Sequence, residues 1–260
     1  MNKKHHPVPV TDPVRRHILK TSGALGIAAA TAGIPEIVYA QDKKILKIRT
    51  YADMRSLDPA HSQGIVDEEI QSSIYSKLIQ YKPGREWGWQ LDAAESIEQV
   101  DDTHIKFKLK KGIMFTNGYG EMTAEDVKFS FERILDESLE STNTPDWGSL
   151  KEVTVEGSHE GTIVFNDPYP PAWNIAMPYI VGNIVSKKAW TEAGGKVDTT
   201  TPCGSGPYIH AEWQPKQKTI LTRNPDWFGG SAAFDEVHIF PIDDENTAQI
   251  AFVLNPGKQK

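Results

Sequence analysis

The residues of this chain that could act as acids, metal ligands or nucleophiles are scattered along the sequence rather than grouped. Adjacent carboxylates occur at Asp101-Asp102 and at residues 243–245, but neighbouring acids in turns are usually solvated and do not flank a scissile bond. The eight histidines show no His-Glu-x-x-His or similar spacing that holds a metal ion. Cys203 has no matching Cys-His motif. The sequence therefore predicts no catalytic residue, no metal site and no cofactor.

Tryptophans and a glycine-rich loop are better suited to binding than to catalysis. Trp147 lies in a loop flanked by Pro and Gly, where its ring could stack on a ligand, and filling the core is an equal alternative. Trp87 and Trp89 are expected to pack in the core, with a role in lining a face as the alternative. A second loop either offers backbone amides to an anionic group or shapes a chain crossover, and it consists of Gly204, Ser205 and Gly206.

The elements that must position these loops are most evident in residues 101–134. A strand with one buried face is predicted from apolar residues that alternate with polar ones at Ile105, Phe107 and Leu109. A hairpin is predicted to follow over residues 153–165. Between them a helix begins at Thr123, with Asp126 in the capping-box position. Its apolar stripe has the helical period at Val127, Phe131, Ile134 and Leu135. A further helix is predicted to open at Asp67, with an apolar face of Ile70, Ile74 and Leu78.

The N-terminus carries an export pattern. Arg15-Arg16 precedes Ile18-Leu19-Lys20, which resembles the twin-arginine motif, and a weakly apolar run follows that is shorter than the about 20 residues of a membrane-spanning helix. Ala40 ends a stretch typical of signal-peptidase cleavage. Residues 1–40 are therefore predicted to be a cleaved twin-arginine signal peptide, and the mature chain to be periplasmic. Cys203 lies too far from this leader to be a lipid anchor, so no membrane anchoring is expected.

Charge and cysteine content exclude some classes of partner and bond. The 260-residue chain has a net charge of −7, and removing residues 1–40 takes away five basic and two acidic residues, which leaves −10. This balance argues against nucleic acid, because phosphate backbones require basic surfaces. A single cysteine cannot form an intramolecular disulfide.

Several motifs, in order along the chain, resemble one family. They are Leu57-Asp58-Pro59, Tyr75–Tyr81, Asp101–Phe115, Thr123–Ile134, Gly204–Tyr208, Arg223–Gly229 and Ala233–Val237. On these residues the chain resembles the periplasmic solute-binding proteins of family 5, which serve peptide and nickel ABC importers.

The resemblance implies an α/β fold shaped as a two-lobed clamp of the periplasmic-binding-protein type. Residues 41–62 and 186–260 would form an incomplete first lobe, and residues 63–185 a small inserted domain. Family members continue into a further domain, whereas similarity here fades after Ala251. A fragment or a truncated gene product, with the C-terminal lobe missing, is therefore expected.

The resemblance also assigns candidate ligand contacts. In the family, the backbone after the Leu-Asp-Pro turn runs along the ligand, and here that segment is His61, Ser62, Gln63 and Gly64. An exposed hinge loop is the alternative. Closure of the clamp is expected as a hinge motion at crossovers near Ser62 and Ser186.

The function implied by the resemblance is ligand binding without catalysis. The protein would be a monomer that captures a peptide or similar small solute and delivers it to an ABC permease; a metal chelate, haem or a sugar remain possible ligands. The alternatives are a hydrolase exported by the twin-arginine route and a truncated, non-functional remnant of a binding protein.

Overall fold

The computed structural model describes residues 43–254, so the predicted leader and its cleavage position lie outside the described residues. Within this range the helices are α1 (Ile65–Ile74), α2 (Ala124–Glu132), α3 (Lys187–Glu192) and α4 (Glu245–Leu254). The strands are β1 (Ile45–Thr50), β2 (Ile79–Tyr81), β3 (Trp89–Leu91), β4 (Ala94–Asp101), β5 (His104–Leu109), β6 (Met114–Phe115), β7 (Gly120–Glu121), β8 (Leu150–Gly157), β9 (Glu160–Phe165), β10 (Tyr208–Gln214), β11 (Lys218–Arg223) and β12 (Glu236–Pro241). None of the helices within residues 43–254 combines the length and apolar character that crossing a membrane requires.

Two four-stranded sheets carry the architecture of the described chain. The first has the order β1-β12-β11-β10, with β1 parallel to β12 and the other pairs antiparallel. The second has the order β4-β5-β9-β8 and is antiparallel throughout. The sheets draw on the two sets of residues expected for the first lobe and the inserted domain. The domain boundaries themselves stay a prediction, and the described residues 43–254 all belong to one compact unit.

The second sheet forms where the alternating pattern predicted it. Ile105, Phe107 and Leu109 are buried on one face of β5. On the other face Lys106 pairs with Glu156 of β8, with 2.7 Å between Nζ and Oε2. Gly161 of β9 lies opposite Phe107, where a Cβ atom would be 2.8 Å from the phenyl ring. The large ring and the missing side chain are therefore complementary.

Helix α2 begins and packs as predicted. The backbone N–H and Oγ1 of Thr123 both donate to Asp126 Oδ2 at 2.8 Å, which satisfies polar groups at the start of the helix. Val127, Phe131 and Ile134 are fully buried. The helix tightens to a 3-10 turn after Glu132, so the last position of the predicted stripe, Leu135, is only half-buried.

Helix α1 differs from its prediction at both ends. It begins at Ile65, after Gly64, which has a φ of 91°. Asp67 is not the opening residue but lies inside the first turn, where Oδ2 accepts from the Gln63 N–H at 2.9 Å. The helix ends at Ile74, so Leu78 is not on its face, although Leu78 is buried. The apolar period continued past the helix because the following extended segment also faces the core.

A buried ion pair, Asp58 with Arg133, joins three separate segments; we call it the buried clasp. Arg133 donates two hydrogen bonds to the Asp58 carboxylate, at 2.7 and 2.9 Å, and a third to the carbonyl of Gly195 at 2.8 Å. The backbone N–H groups of Ala60 and Val197 also donate to Asp58. Burial alone would raise the pKa of Asp58, but the guanidinium and these amides hold it below its usual value. The clasp fixes the turn that leads into the candidate site.

Candidate ligand-binding site

The segment after the Leu-Asp-Pro turn is held along its length by residues Leu139–Asn143, which we call the grip segment. The carbonyl of Ala60 accepts from Ser141 Oγ at 2.7 Å and from the Thr142 N–H at 3.2 Å. The His61 Nε2 lies 2.8 Å from the carbonyl of Leu139. His61 is half-buried and this ring nitrogen is engaged, so the imidazole lies beside the grip segment.

Asn143 closes this contact. Its Nδ2 donates to the carbonyl of Pro59 at 2.8 Å and to the carbonyl of Ser62 at 3.0 Å. Two carbonyl acceptors require the NH₂ side of the amide, so the orientation of the side chain is determined by its partners. One side chain therefore fixes both ends of the Pro59–Ser62 turn.

Ser62 is fully buried, and its side chain is hydrogen-bonded to Asp58 and to helix α1. Its Oγ donates to the carbonyl of Asp58 at 2.7 Å and accepts from Gln71 Nε2 of helix α1. Gln71 in turn donates to the carbonyl of Ser56 and accepts from Asn183 Nδ2 at 2.9 Å. This polar network uses the hydroxyl of Ser62, so the predicted contact with a ligand is left to the residues that follow.

Those residues, Gln63, Gly64 and Ile65, form an exposed stretch that we call the ligand edge. Ile65 is 56% exposed, and open space surrounds Gly64 on the side where a Cβ would lie. The amides of Gly64 and Ile65 donate no hydrogen bond within residues 43–254. Asp67 anchors the edge by accepting from the Gln63 N–H. The edge can therefore offer backbone polar groups to a ligand without rearrangement.

Trp147 lies elsewhere, in the core. Its side chain is 0% exposed, packs 4.5 Å from the ring of Phe131, and donates from Nε1 to the carbonyl of Val181 at 3.1 Å. These contacts agree with the packing alternative, and in this conformation the indole presents no surface to a ligand.

The expectation that Trp87 packs in the core is wrong. Trp87 is 98% exposed near the end of the loop between β2 and β3, and residues 82–86 before it are exposed as well. Trp89 is half-buried and stacks on Trp173, with ring centroids 5.1 Å apart. Trp87 and Trp89 belong to one Trp-Gly-Trp segment, so the local sequence does not distinguish the packed ring from the exposed one.

The amides of the glycine-rich loop are occupied by the protein itself. The Gly204 N–H donates to Thr116 Oγ1 at 3.0 Å, and the N–H groups of Ser205 and Gly206 donate to the carbonyl of Ile74 at 3.0 and 2.9 Å. A Cβ at Gly204 would lie 2.2 Å from that same carbonyl oxygen. The loop joins the end of α1 to the returning chain, which agrees with the crossover alternative rather than with anion binding.

The second expected hinge position is also tightly bonded. Ser186 is buried and caps α3, with its Oγ accepting from the Ala189 N–H at 3.3 Å. On either side, the Val185 N–H donates to Ser130 Oγ and the Lys187 N–H donates to Asp126 Oδ1, both at 2.9 Å. Both expected crossovers therefore lie in hydrogen-bonded, buried surroundings.

The thiol of Cys203 has no nucleophilic character in this environment. Burial, the main cause, raises its pKa to about 12. A thiol with such a pKa stays protonated near neutral pH and is a poor nucleophile.

Sequence reasoning missed Asn143 and Gln71, which organise the site. Asn143 stands in a Ser-Thr-Asn-Thr-Pro tract, a composition that predicts a turn and nothing more. Gln71 stands between apolar positions of α1, where a polar residue gives no sign of its partner. No local signal connects either residue with Ser62.

Comparison with known proteins places this fold. The family described as "Bacterial extracellular solute-binding proteins, family 5 Middle" matches residues 89–255. The probable D,D-dipeptide-binding periplasmic protein DdpA of Escherichia coli K12 is 29% identical over 236 residues, which cover 87% of this chain and 44% of DdpA. The oligopeptide-binding protein AppA of Bacillus subtilis 168 is 30% identical over 191 residues, 69% of this chain and 34% of AppA. The chain thus spans less than half the length of these relatives.

Solved structures agree. MoaA from A. tumefaciens R10, in complex with mannopinic acid, matches with a TM-score of 0.76 at 27% identity, over 83% of this chain and 44% of MoaA. AppA from Bacillus subtilis in complex with a nonapeptide matches with a TM-score of 0.75 at 24% identity, over 83% of this chain and 44% of AppA, a likeness that concerns the fold alone. The α/β fold is that of periplasmic binding proteins.

Proposed function

Because this chain belongs to the bacterial extracellular solute-binding proteins of family 5, we propose that it serves an ABC importer by capturing a peptide or a similar small solute. The names of its relatives support a peptide ligand, since DdpA is described as binding D,D-dipeptides and AppA as binding oligopeptides. The mannopinic acid complex of MoaA widens the range to related small solutes.

The single observation that carries the proposal is the ligand edge. Gln63, Gly64 and Ile65 are exposed, and the turn before them is held in one conformation by Asn143 and the buried clasp. The N–H groups of Gly64 and Ile65, which stand at the start of α1 and have no partner within residues 43–254, can donate to a carbonyl or carboxylate oxygen of a peptide. Gly64 permits close approach because it carries no side chain. Preorganisation reduces the entropy lost on binding.

We assign different roles to the candidate residues. Gln63 and Gly64 contact the ligand directly, and His61 borders them. Ser62 fixes the start of the edge from below. The remaining candidates support the site from a distance: Trp147 fills the core against Phe131, and the loop of Gly204, Ser205 and Gly206 joins the end of α1 to the returning chain.

The proposal includes the route and the partner. Residues 1–40 act as a twin-arginine signal peptide cleaved after Ala40, and the mature protein works as a monomer in the periplasm. It delivers its ligand to the membrane permease of the importer. The ligand contributes to closure only through contacts that the closed state alone provides.

Calorimetric titration of the purified chain with an equimolar mixture of di- and tripeptides tests this function. The expected result is a saturable heat, with every peptide recovered intact by mass spectrometry. Peptide cleavage would favour the exported-hydrolase alternative. The absence of any saturable heat would favour the non-functional remnant.

A further inference from the structure

The grip segment meets the ligand edge at one side chain. Asn143 is the residue whose polar side chain spans from Pro59 to Ser62, and Ser62 directly precedes Gln63. The other grip contacts end earlier, at Ala60 and His61. Asn143 therefore makes the last contact of the grip segment before the chain becomes exposed.

The chemistry of this contact requires a primary amide. Both partners are carbonyl oxygens, and a single short side chain with two N–H donors on one nitrogen is Asn. Aspartate has the same shape but only acceptors when ionised, so it would direct negative charge at two carbonyl oxygens. The near-isosteric change Asn143→Asp thus removes the donors and reverses the interaction while preserving the volume.

The orientation of the Ser62 carbonyl determines the direction in which the next peptide groups point. Gln71 holds the Ser62 side chain, and the Asp58 carbonyl accepts from both the Oγ and the backbone N–H of Ser62. The Ser62 carbonyl itself is held by Asn143. The peptide group between Ser62 and Gln63 is thus held at both ends, by Asn143 at its carbonyl and by Asp67 at its N–H. Losing the Asn143 hydrogen bond leaves one of these two anchors, which loosens the orientation of this peptide group and of the Gly64 and Ile65 amides that follow it.

We propose that Asn143 is a positioning residue for ligand binding: its two hydrogen bonds hold the ligand edge in the conformation that receives a ligand. That a peptide binds at this edge rests on the proposed function, whereas the hydrogen bonds of Asn143 to the turn do not depend on it. Asn143 does not need to touch the ligand, because it acts through the Ser62 carbonyl.

Two readouts on Asn143→Asp and Asn143→Ala test this role. The first is amide hydrogen exchange, residue by residue, at Gln63, whose N–H donates to Asp67 Oδ2, and at the buried strand residues Ile105 and Ile163. We expect exchange at Gln63 to rise about tenfold, the factor corresponding to loss of one or two net hydrogen bonds, with exchange at the core residues unchanged. The second is affinity for the peptide mixture, which we expect to fall by about tenfold or more.

Asn174 provides the matched control, since it is an exposed asparagine in a π-helical turn (Ala172–Ala176) whose side chain makes no hydrogen bond within residues 43–254. Asn174→Asp and Asn174→Ala should change neither readout. Equal peptide affinity of the parent chain and Asn143→Asp would overturn the inference. Exchange that rises uniformly through the core, or a variant that does not fold, would also overturn it, because each of these two results makes Asn143 merely structural. A parent chain that binds no peptide would instead count against the proposed function, while the exchange result still decides the geometry.

Discussion

Removing the charge of Asp58 should strongly destabilise the protein. Asp58→Asn keeps the shape of the side chain but leaves the Arg133 guanidinium buried without a counter-charge; the two side chains are 0% and 6% exposed. Four N–H groups, two of them from Arg133, donate to the Asp58 carboxylate. The substitution therefore turns the NH₂ group of asparagine toward other donors. An amide offers only one acceptor oxygen to this set.

The expected magnitude follows from this geometry. Breaking a buried ion pair by removing one partner costs about 3–5 kcal/mol, whereas a whole domain is stable by about 5–15 kcal/mol. For a domain of this size, each kcal/mol corresponds to roughly 2–4 °C in Tm. We therefore expect Tm to fall by roughly 6–20 °C, measured by urea and thermal unfolding followed by circular dichroism.

The control is Asp101→Asn, which breaks an exposed contact between Asp101 and His104 and should change Tm little. Asp58→Asn with a loss below about 1 kcal/mol would refute the argument that the clasp is a desolvated pair. The difference also depends on pH. The folded-state pKa of Asp58 lies below its ordinary value of 3.8, so the stabilisation is complete above that value and disappears as pH falls through the lower folded-state pKa.

Three further substitutions or reactions check separate parts of the fold. Gly204→Ala should lower the free energy of unfolding by about 1–3 kcal/mol, because the new Cβ would lie 2.2 Å from the Ile74 carbonyl oxygen. The control Gly157→Ala places its Cβ in open space and should be nearly neutral in urea unfolding. Cys203, with a pKa raised to about 12, should carry on the order of a thousandfold less thiolate at pH 8 than free cysteine. A disulfide reagent should therefore modify it rapidly only when the protein is unfolded in urea. Rapid reaction of the folded protein would contradict the burial of the thiol. Trp147→Phe should lower the unfolding midpoint, because it removes the hydrogen bond to Val181 and part of a buried ring. Trp87→Phe should leave the midpoint unchanged but abolish most of the tryptophan emission that iodide quenches. A lower midpoint for Trp87→Phe than for Trp147→Phe would mean that the two rings are misplaced.

The elements of the fold were predictable wherever a local period decided them. The alternation in β5 and the stripe of α2 depend on which face of one element meets the core, and both are properties of short sequence windows. The capping box of Thr123 and Asp126 is equally local. The end of α1 was not predictable in this way, because the apolar period runs on through Leu78, which is buried in an extended conformation.

The candidate site was predictable only in part. The Leu-Asp-Pro turn located the segment that contains the ligand edge, but not which of its residues are exposed. That depends on long-range contacts: Asn143 and Gln71 bury Ser62, and the Ile74 carbonyl occupies the amides of the Gly204 loop. The environment of Trp147 likewise depends on what covers it, and a Pro- and Gly-flanked loop contains no information about this.

The most direct test of the central claim is to locate bound ligand along the backbone. Amide hydrogen exchange should be measured for the purified protein with and without a saturating equimolar mixture of di- and tripeptides. We predict slower exchange at Gln63, Gly64 and Ile65 when the peptides are bound, with exchange in the Gly204 loop unchanged. Protection confined to any other segment would contradict the assignment of residues 63–65 as the surface that meets the ligand.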